Sequence, residues 1–152
     1  MKKAFALILV LILLCGAALA EVPHLSGQLF DSAKGAVNCL ASGAYDRLAA
    51  ELPVADAGAW ADFAAGFADL SGAQTQYAVA FWRGGSWYVA VPIREPANER
   101  VETLVLSSAD GKHVDGYRRA PWGKVQSAYR GSDYLYWNQE YTGGGAMLMA
   151  DE

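Results

Sequence analysis

The stretch YAVAFWRGGSWYVAVPI, residues 77–93, decides the fold. Aromatic and β-branched residues, which favour strands, lie on both sides of Gly84-Gly85, a pair that readily adopts the positive φ angles of a tight hairpin turn. With these glycines in the turn, Trp82 lies directly opposite Trp87. The stretch therefore predicts two paired antiparallel strands.

Both faces of this hairpin are apolar, since side chains alternate between the faces of a strand. One face carries Tyr77, Val79, Phe81 and Tyr88, and the other carries Ala78, Ala80, Trp82, Trp87, Val89 and Val91. Helices can cover one face, so the other needs the C-terminal segment, a ligand or a second copy of the chain, as in a homodimer through the sheet face. We expect Tyr134 to Tyr141 to cover part of it and to leave an aromatic-lined opening beside Trp122.

Three helices are predicted before the hairpin. Apolar residues recur at intervals of three and four from Leu29 to Ala41 and again from Tyr45 to Leu52, with Gly43 between the two runs. The third helix begins near Asp56, a plausible N-cap, and ends before Gly72. Its apolar face is rich in aromatic residues: Trp60, Phe63 and Phe67.

More strands are predicted after the hairpin. A strand is expected from Val101 to Ser107, followed by a turn around Asp110-Gly111. A second strand then runs from Val114 to Arg119, before Pro121. A further strand is expected within 133–142. Helices followed by an antiparallel sheet indicate the α+β class.

The N-terminus has the pattern of a signal peptide. Lys2 and Lys3 precede an apolar run that is too short to anchor the chain in a bilayer, and Ala18-Leu19-Ala20 offers the small residues of a cleavage site. We expect a signal peptide over 1–20, a single domain over 21–142 and a C-terminal tail over 143–152. The protein would then be secreted or periplasmic, with no membrane anchor after cleavage. Lipidation at Cys15 is the less favoured alternative, because a lipid-modified cysteine normally follows a small residue and Leu14 is not small.

Charge and cysteine content exclude several classes of function. The net charge is −4, and the leader carries two of the twelve basic residues, so the chain beyond it is strongly acidic and unsuited to nucleic acid. Cys39 is the single cysteine after Ala20, so no internal disulfide can form there.

His24 and His113 lack the spacing of a metal site, and we expect neither a metal nor a cofactor. Asp110 and Asp115 are read as turn residues rather than as a catalytic pair.

Aromatic residues are the remaining candidates for a binding site. The last third of the chain is rich in tyrosine and tryptophan, whose rings pack in a core or contact a ligand. We select Tyr88, Tyr117, Trp122 and Trp137 as candidate ligand-binding residues, with Trp122 and Trp137 the most exposed. No catalytic residue is predicted.

Two segments resemble the nuclear-transport-factor-two-like superfamily. The break Leu40-Ala41-Ser42-Gly43-Ala44-Tyr45, within 34–52, is similar to the opening helices of its small secreted bacterial members, and LVLSSADGKHVDGYRRAP, residues 104–121, is similar to their later strands. These features are most similar to a subgroup of unknown function sometimes found ahead of an α/β-hydrolase. The resemblance implies a cone-shaped α+β domain with a pocket between helices and a concave sheet, but no single activity.

The leading hypothesis is a non-catalytic extracytoplasmic binding or accessory module with an apolar, aromatic-lined pocket or sheet face. Its partner would be an unidentified small molecule, glycan or protein. One alternative is a small pocket enzyme with Asp/Tyr acid–base chemistry, which requires a buried carboxylate of raised pKa. Another is a carbohydrate-binding surface, which requires coplanar exposed rings.

Overall fold

The hairpin lies at the centre of a five-stranded antiparallel sheet of order β4-β3-β2-β1-β5. The computed structural model describes residues 21–95, 97 and 100–138, so the predicted signal peptide and tail lie outside it. The strands are β1 Val79–Arg83, β2 Ser86–Glu95, β3 Arg100–Ser108, β4 Gly116–Pro121 and β5 Leu135–Trp137. The chain has an α+β fold, which confirms the predicted class.

The predicted register of the hairpin is confirmed. Trp82 pairs with Trp87, and the two turn glycines, Gly84 and Gly85, have φ angles of 60° and 87°. Tyr77 differs from the prediction, because it lies in a short 3-10 turn, Thr75–Tyr77, before the strand begins. Its side chain is exposed and covers neither face of the sheet.

Three helices cover one face of the sheet, here called the helix face: α1 Gly27–Ser42, α2 Tyr45–Glu51 and α3 Ala57–Ala65. The Ser26 hydroxyl caps the start of α1, and Gly43, with φ 73°, ends it as predicted. The Asp56 carboxylate accepts the Ala59 N–H at 2.8 Å and starts α3, also as predicted.

The third helix ends earlier than the sequence predicts. It stops at Ala65, and the N–H of Gly66 bonds the Phe63 carbonyl as the chain turns away. The turn lets Phe67 bury its ring in the same core, and a 3-10 turn, Leu70–Gly72, follows. The aromatic face predicted for one long helix is therefore shared between a helix and the turn after it.

A fourth helix, which the sequence analysis missed, covers the opposite face, here called the α4 face. Helix α4, Trp122–Arg130, follows β4 directly and buries Val125 and Tyr129 against the sheet. The hairpin side chains on this face, Val79 and Phe81, lie in the same apolar cluster. The second apolar face of the hairpin is thus covered largely by α4.

The segment 134–141 was expected to cover part of the α4 face; its described part extends the sheet instead of lying across it, and adds the side chains of Leu135 and Trp137 to the cluster on that face. Leu135–Trp137 extends the sheet as β5, antiparallel to β1, because the free edge of β1 offers unpaired backbone groups. Val79 pairs with Trp137, and the Asn138 N–H donates to the Ala78 carbonyl at 2.8 Å. The strand predicted over 133–142 therefore begins two residues later, at Leu135. Residues 139–142 of that prediction lie outside the described residues.

Candidate functional site

The four candidate residues chosen from the sequence do not form one site. Tyr88 and Trp122 are half-buried on the α4 face, whereas Tyr117 packs on the helix face with its ring 4.3 Å from that of Trp60. Trp137 is only 8% exposed, so the expectation that it is among the most exposed rings is wrong. Its position on β5 places its ring 5.7 Å from that of Tyr129, within the core beneath α4.

A different group of aromatic residues lines a cavity of about 490 Å³, here called the N-terminal cavity. Its walls are the segment Glu21–Leu25 and the side chains of Trp87, Tyr134 and Tyr136. Tyr134 and Tyr136 are two residues apart at the sheet edge, so both project to the helix face. The ring of Trp87 lies 6.4 Å from that of Tyr134 and 6.0 Å from that of Tyr136.

The segment Glu21–Leu25 is held in place by backbone contacts. The indole Nε1 of Trp87 donates to the Pro23 carbonyl at 2.7 Å, and the Ser26 N–H donates to the Gly111 carbonyl at 2.9 Å. Gly111 has a φ of 78°, and a Cβ there would lie 2.5 Å from the His24 carbonyl oxygen. The close approach requires glycine, and it fixes this wall of the cavity against the β3–β4 turn.

The tyrosine wall is also fixed through its backbone. The Trp82 N–H donates to the Tyr134 carbonyl at 3.2 Å, and the Ser132 hydroxyl accepts the Tyr134 N–H at 3.2 Å. Tyr134 is nevertheless 43% exposed, although its backbone is held by these hydrogen bonds. The ring is therefore presented to solvent at the mouth of a preformed cavity.

The β3–β4 turn beside the cavity is organised by Asp110. Its carboxylate accepts the backbone N–H groups of His113 and Lys112 at 2.7 and 2.8 Å, and its other oxygen lies 2.7 Å from Nδ1 of His113. These contacts, led by the His113 N–H, hold the pKa of the Asp110 carboxyl well below its ordinary value. Asp110 therefore acts as a turn residue, as the sequence suggested.

We expect Asp110→Ala to lower Tm at pH 7, with an effect that depends on pH. Because the folded pKa is depressed, the carboxylate stabilises the fold fully above the ordinary Asp pKa of about 3.9, and the gain is lost as pH falls towards the folded pKa. The Tm difference between the wild type and the variant should therefore shrink as pH falls below 4. Thermal melts followed by circular dichroism measure it.

The control for this prediction is Asp62→Ala. Asp62 is exposed on α3 and should show no comparable loss of Tm at any pH, because surface positions without such contacts contribute little. A Tm difference for Asp110→Ala that grows as pH falls below 4 would contradict the assignment of Asp110 as a charged turn residue.

Several kinds of chemistry find no support among residues 21–95, 97 and 100–138. They contain no group of three or more His, Cys, Asp or Glu side chains placed to hold a metal ion, and no helix there is long and apolar enough to cross a bilayer. Two carboxyl groups have a shifted pKa, Asp69 through the Ser71 hydroxyl and Asp110 as above, and both shifts are downward.

Comparison of the chain with protein-family models, with curated proteins and with solved structures finds no match. The site must therefore be interpreted from its own geometry.

One wall of the N-terminal cavity is indicated by the sequence, although its residues are not among the four candidates. Tyr134 and Tyr136 alternate within a predicted strand, which places both on one face. Trp87 was assigned to the correct face of the hairpin, but nothing local indicated that Glu21–Leu25 would lie against it. A contact across more than sixty positions in the chain is not visible in sequence periodicity.

Proposed function

We propose that this chain is a non-catalytic extracytoplasmic binding module that takes a small ring-bearing ligand into the N-terminal cavity. The observation that carries the proposal is the aromatic cavity of about 490 Å³ with walls fixed by backbone hydrogen bonds. Ligand sites commonly enclose about 300–1,000 Å³, are largely preformed and combine aromatic walls with a few polar groups. The extracytoplasmic location rests on the predicted leader, Met1 to Ala20.

The wall chemistry favours a ligand with apolar faces and polar edges, such as a monosaccharide or a small heteroaromatic compound. Tyr134 and Tyr136 offer ring surface, Trp87 is only 2% exposed and closes the cavity on the core side, and the side chains of Glu21 and His24 are exposed beside them. Cleavage after Ala20 would add a free α-amino group at Glu21. These charged and polar groups therefore belong to the segment Glu21–Leu25.

Ring geometry favours an enclosed ligand over a flat glycan surface. The Trp87 ring is inclined by 65° to that of Tyr134 and by 42° to that of Tyr136. A platform for stacking along an extended glycan needs exposed rings in one plane, whereas these rings are inclined and contact one another. The cavity interpretation is thus preferred to the carbohydrate-binding surface.

Acid–base catalysis is the less favoured alternative. It would need a carboxyl group in the cavity whose pKa is raised, so that it can exchange a proton near neutral pH. The carboxyl pKa shifts found in the described part of the chain are downward and belong to turn residues, Asp69 and Asp110. A binding role needs no such group.

We expect Tyr134→Ala to weaken ligand binding about tenfold while leaving Tm within a few degrees, because an exposed ring contributes contact area to a ligand and little to the core. Saturation-transfer NMR with a library of monosaccharides and small heteroaromatic compounds identifies binders. Titration of the best binder, followed by tryptophan fluorescence, then gives Kd for the wild type and the variant.

The matched control is Tyr77→Ala. Tyr77 is 41% exposed, close to the 43% of Tyr134, but it does not line the cavity. It should leave Kd unchanged within twofold. Equal losses in both variants, or a library in which nothing binds, would contradict the proposed cavity function.

A further inference from the structure

A second concave region lies on the α4 face, between α4 and strands β3 and β4. It consists of two adjoining cavities of about 220 and 270 Å³, which share Val105 and Arg118; together we call them the α4 groove. The first has an apolar floor of Phe81, Val105 and Val125, with Lys124 also lining it. The second is lined by hydroxyl-bearing side chains, including Ser86 and Tyr88.

Three cationic residues line this groove, Arg118, Arg119 and Lys124, but the guanidinium of Arg119 lies over the Phe67 ring, 5.9 Å from its centroid, on the helix face. The ion pairs found in the described part of the chain, Arg47–Glu51 and Asp110–His113, do not involve Arg118 or Lys124. Both of these side chains are exposed, and both line the smaller cavity. In a chain of net charge −4, such a pair beside an apolar floor produces a local positive potential.

The guanidinium of Arg118 is held by a ring contact. Its Cζ lies over the Tyr88 ring at 5.7 Å from the centroid, and that ring in turn stacks on Phe81 at 5.5 Å. A cation–π contact at this distance attracts the guanidinium to the ring while its N–H donors remain available to other partners. Arg118 is therefore positioned to donate to an anion.

Among residues 21–95, 97 and 100–138, no carboxylate lines either part of the groove. The nearest acidic residue in sequence is Asp115, whose two oxygens accept the Ser107 hydroxyl at 2.9 Å and the Ala109 N–H at 2.7 Å. Those bonds tie Asp115 to the β3–β4 turn. Asp115 bonds Ser107 at the edge of the second cavity but does not itself line either cavity.

We infer that the α4 groove binds a small amphiphilic organic anion, with the anionic head between Arg118 and Lys124 and the apolar body on Phe81, Val105 and Val125. Binding requires both parts of the ligand. Solvent-exposed cations alone contribute little binding free energy, and an apolar floor alone does not select a charged ligand. The groove lies on the opposite side of the sheet from the N-terminal cavity. The inference is therefore independent of the function proposed above.

The test uses two probes with the same aromatic body. 8-Anilinonaphthalene-1-sulfonate carries the anion, and N-phenyl-1-naphthylamine lacks it. Arg118→Gln and Lys124→Gln should each weaken binding of the sulfonate about fivefold, and the double variant about twentyfold, as expected for exposed charge contacts of about 1 kcal/mol each. Binding of the neutral probe should change by less than twofold.

Two controls locate the effect. Arg130→Gln makes the same change of charge on the same helix but outside the groove, and should leave both affinities within twofold. Tyr134→Ala, at the N-terminal cavity, should do the same. Amide chemical shifts of Val105 and Val125 should move on titration with the sulfonate, and Tm should stay within a few degrees in every variant.

The inference is overturned if the wild type does not bind the sulfonate, or if the double variant binds it as tightly as the wild type. It is also overturned if both probes weaken equally, since the groove would then select only apolar area. Loss of sulfonate binding in Tyr134→Ala alone would assign the probe to the other cavity. That outcome would support the function proposed for the N-terminal cavity and overturn the inference about the α4 groove.

Discussion

Trp60→Ala should lower the free energy of unfolding by about 3–5 kcal/mol, the largest effect that we expect from a single side chain. Trp60 has no exposed surface, and its ring packs at 4.3 Å from that of Tyr117 and 5.9 Å from that of Phe63. Truncation leaves a cavity between α3 and the sheet that neighbouring rings cannot fill. Urea unfolding should show a much lower midpoint, with a fall in Tm of about 15 °C.

Trp60→Phe is the informative comparison. The buried Nε1 of Trp60 has no hydrogen-bond partner, so removing this N–H relieves a desolvation cost that offsets part of the lost volume. We expect phenylalanine to cost less than half as much as alanine. Equal losses for the two variants would contradict the idea that the indole N–H is a liability, and an unchanged Tm in Trp60→Ala would contradict its place in the core.

Gly72→Ala should destabilise the fold by about 3 kcal/mol, because the new methyl group would overlap the carbonyl oxygen of Arg94. Neither backbone segment can move away easily. Ala73 bridges Ile93, and the Gln74 N–H donates to the Pro92 carbonyl at 2.9 Å, so the turn lies tightly along β2. Thermal melts should show a loss of about 10 °C.

Gly123→Ala is the control for Gly72→Ala. Gly123 lies in α4, and no atom approaches the position that its Cβ would take. Alanine there should raise stability by about 0.5–1 kcal/mol, because it favours the helix and restricts the unfolded chain. If both glycine variants behaved alike, close packing at Gly72 would not explain the effect.

Local patterns in the sequence were enough to predict the central elements. The hairpin register follows from Gly84-Gly85, and the start of α3 follows from the Asp56 cap, because each depends on residues only a few positions apart. The signal for α4 was also present: Trp122, Val125 and Tyr129 have helical spacing, and Arg130 and Gly131 follow. It was outweighed by the aromatic content, which is equally typical of strands.

Features that depend on distant contacts could not be predicted in this way. Trp137 is buried because β5 pairs with β1, and the adjacent Asn138-Gln139 suggested exposure instead. The N-terminal cavity combines Glu21–Leu25 with Trp87 and the two tyrosines at the sheet edge, so neither wall is recognisable without the other. The resemblance to a superfamily supplied an expected shape and no site.

Strand β4 also determines how this sheet meets other copies of itself. It is an outer strand, so one row of its backbone N–H and C=O groups is free to recruit a second chain into a growing aggregate. Arg118 and Arg119 project to opposite faces of that strand and Pro121 ends it, which places positive charge on both sides of the open edge. Like charges repel when two such edges approach, so these residues disfavour pairing of β4 with the β4 of another copy.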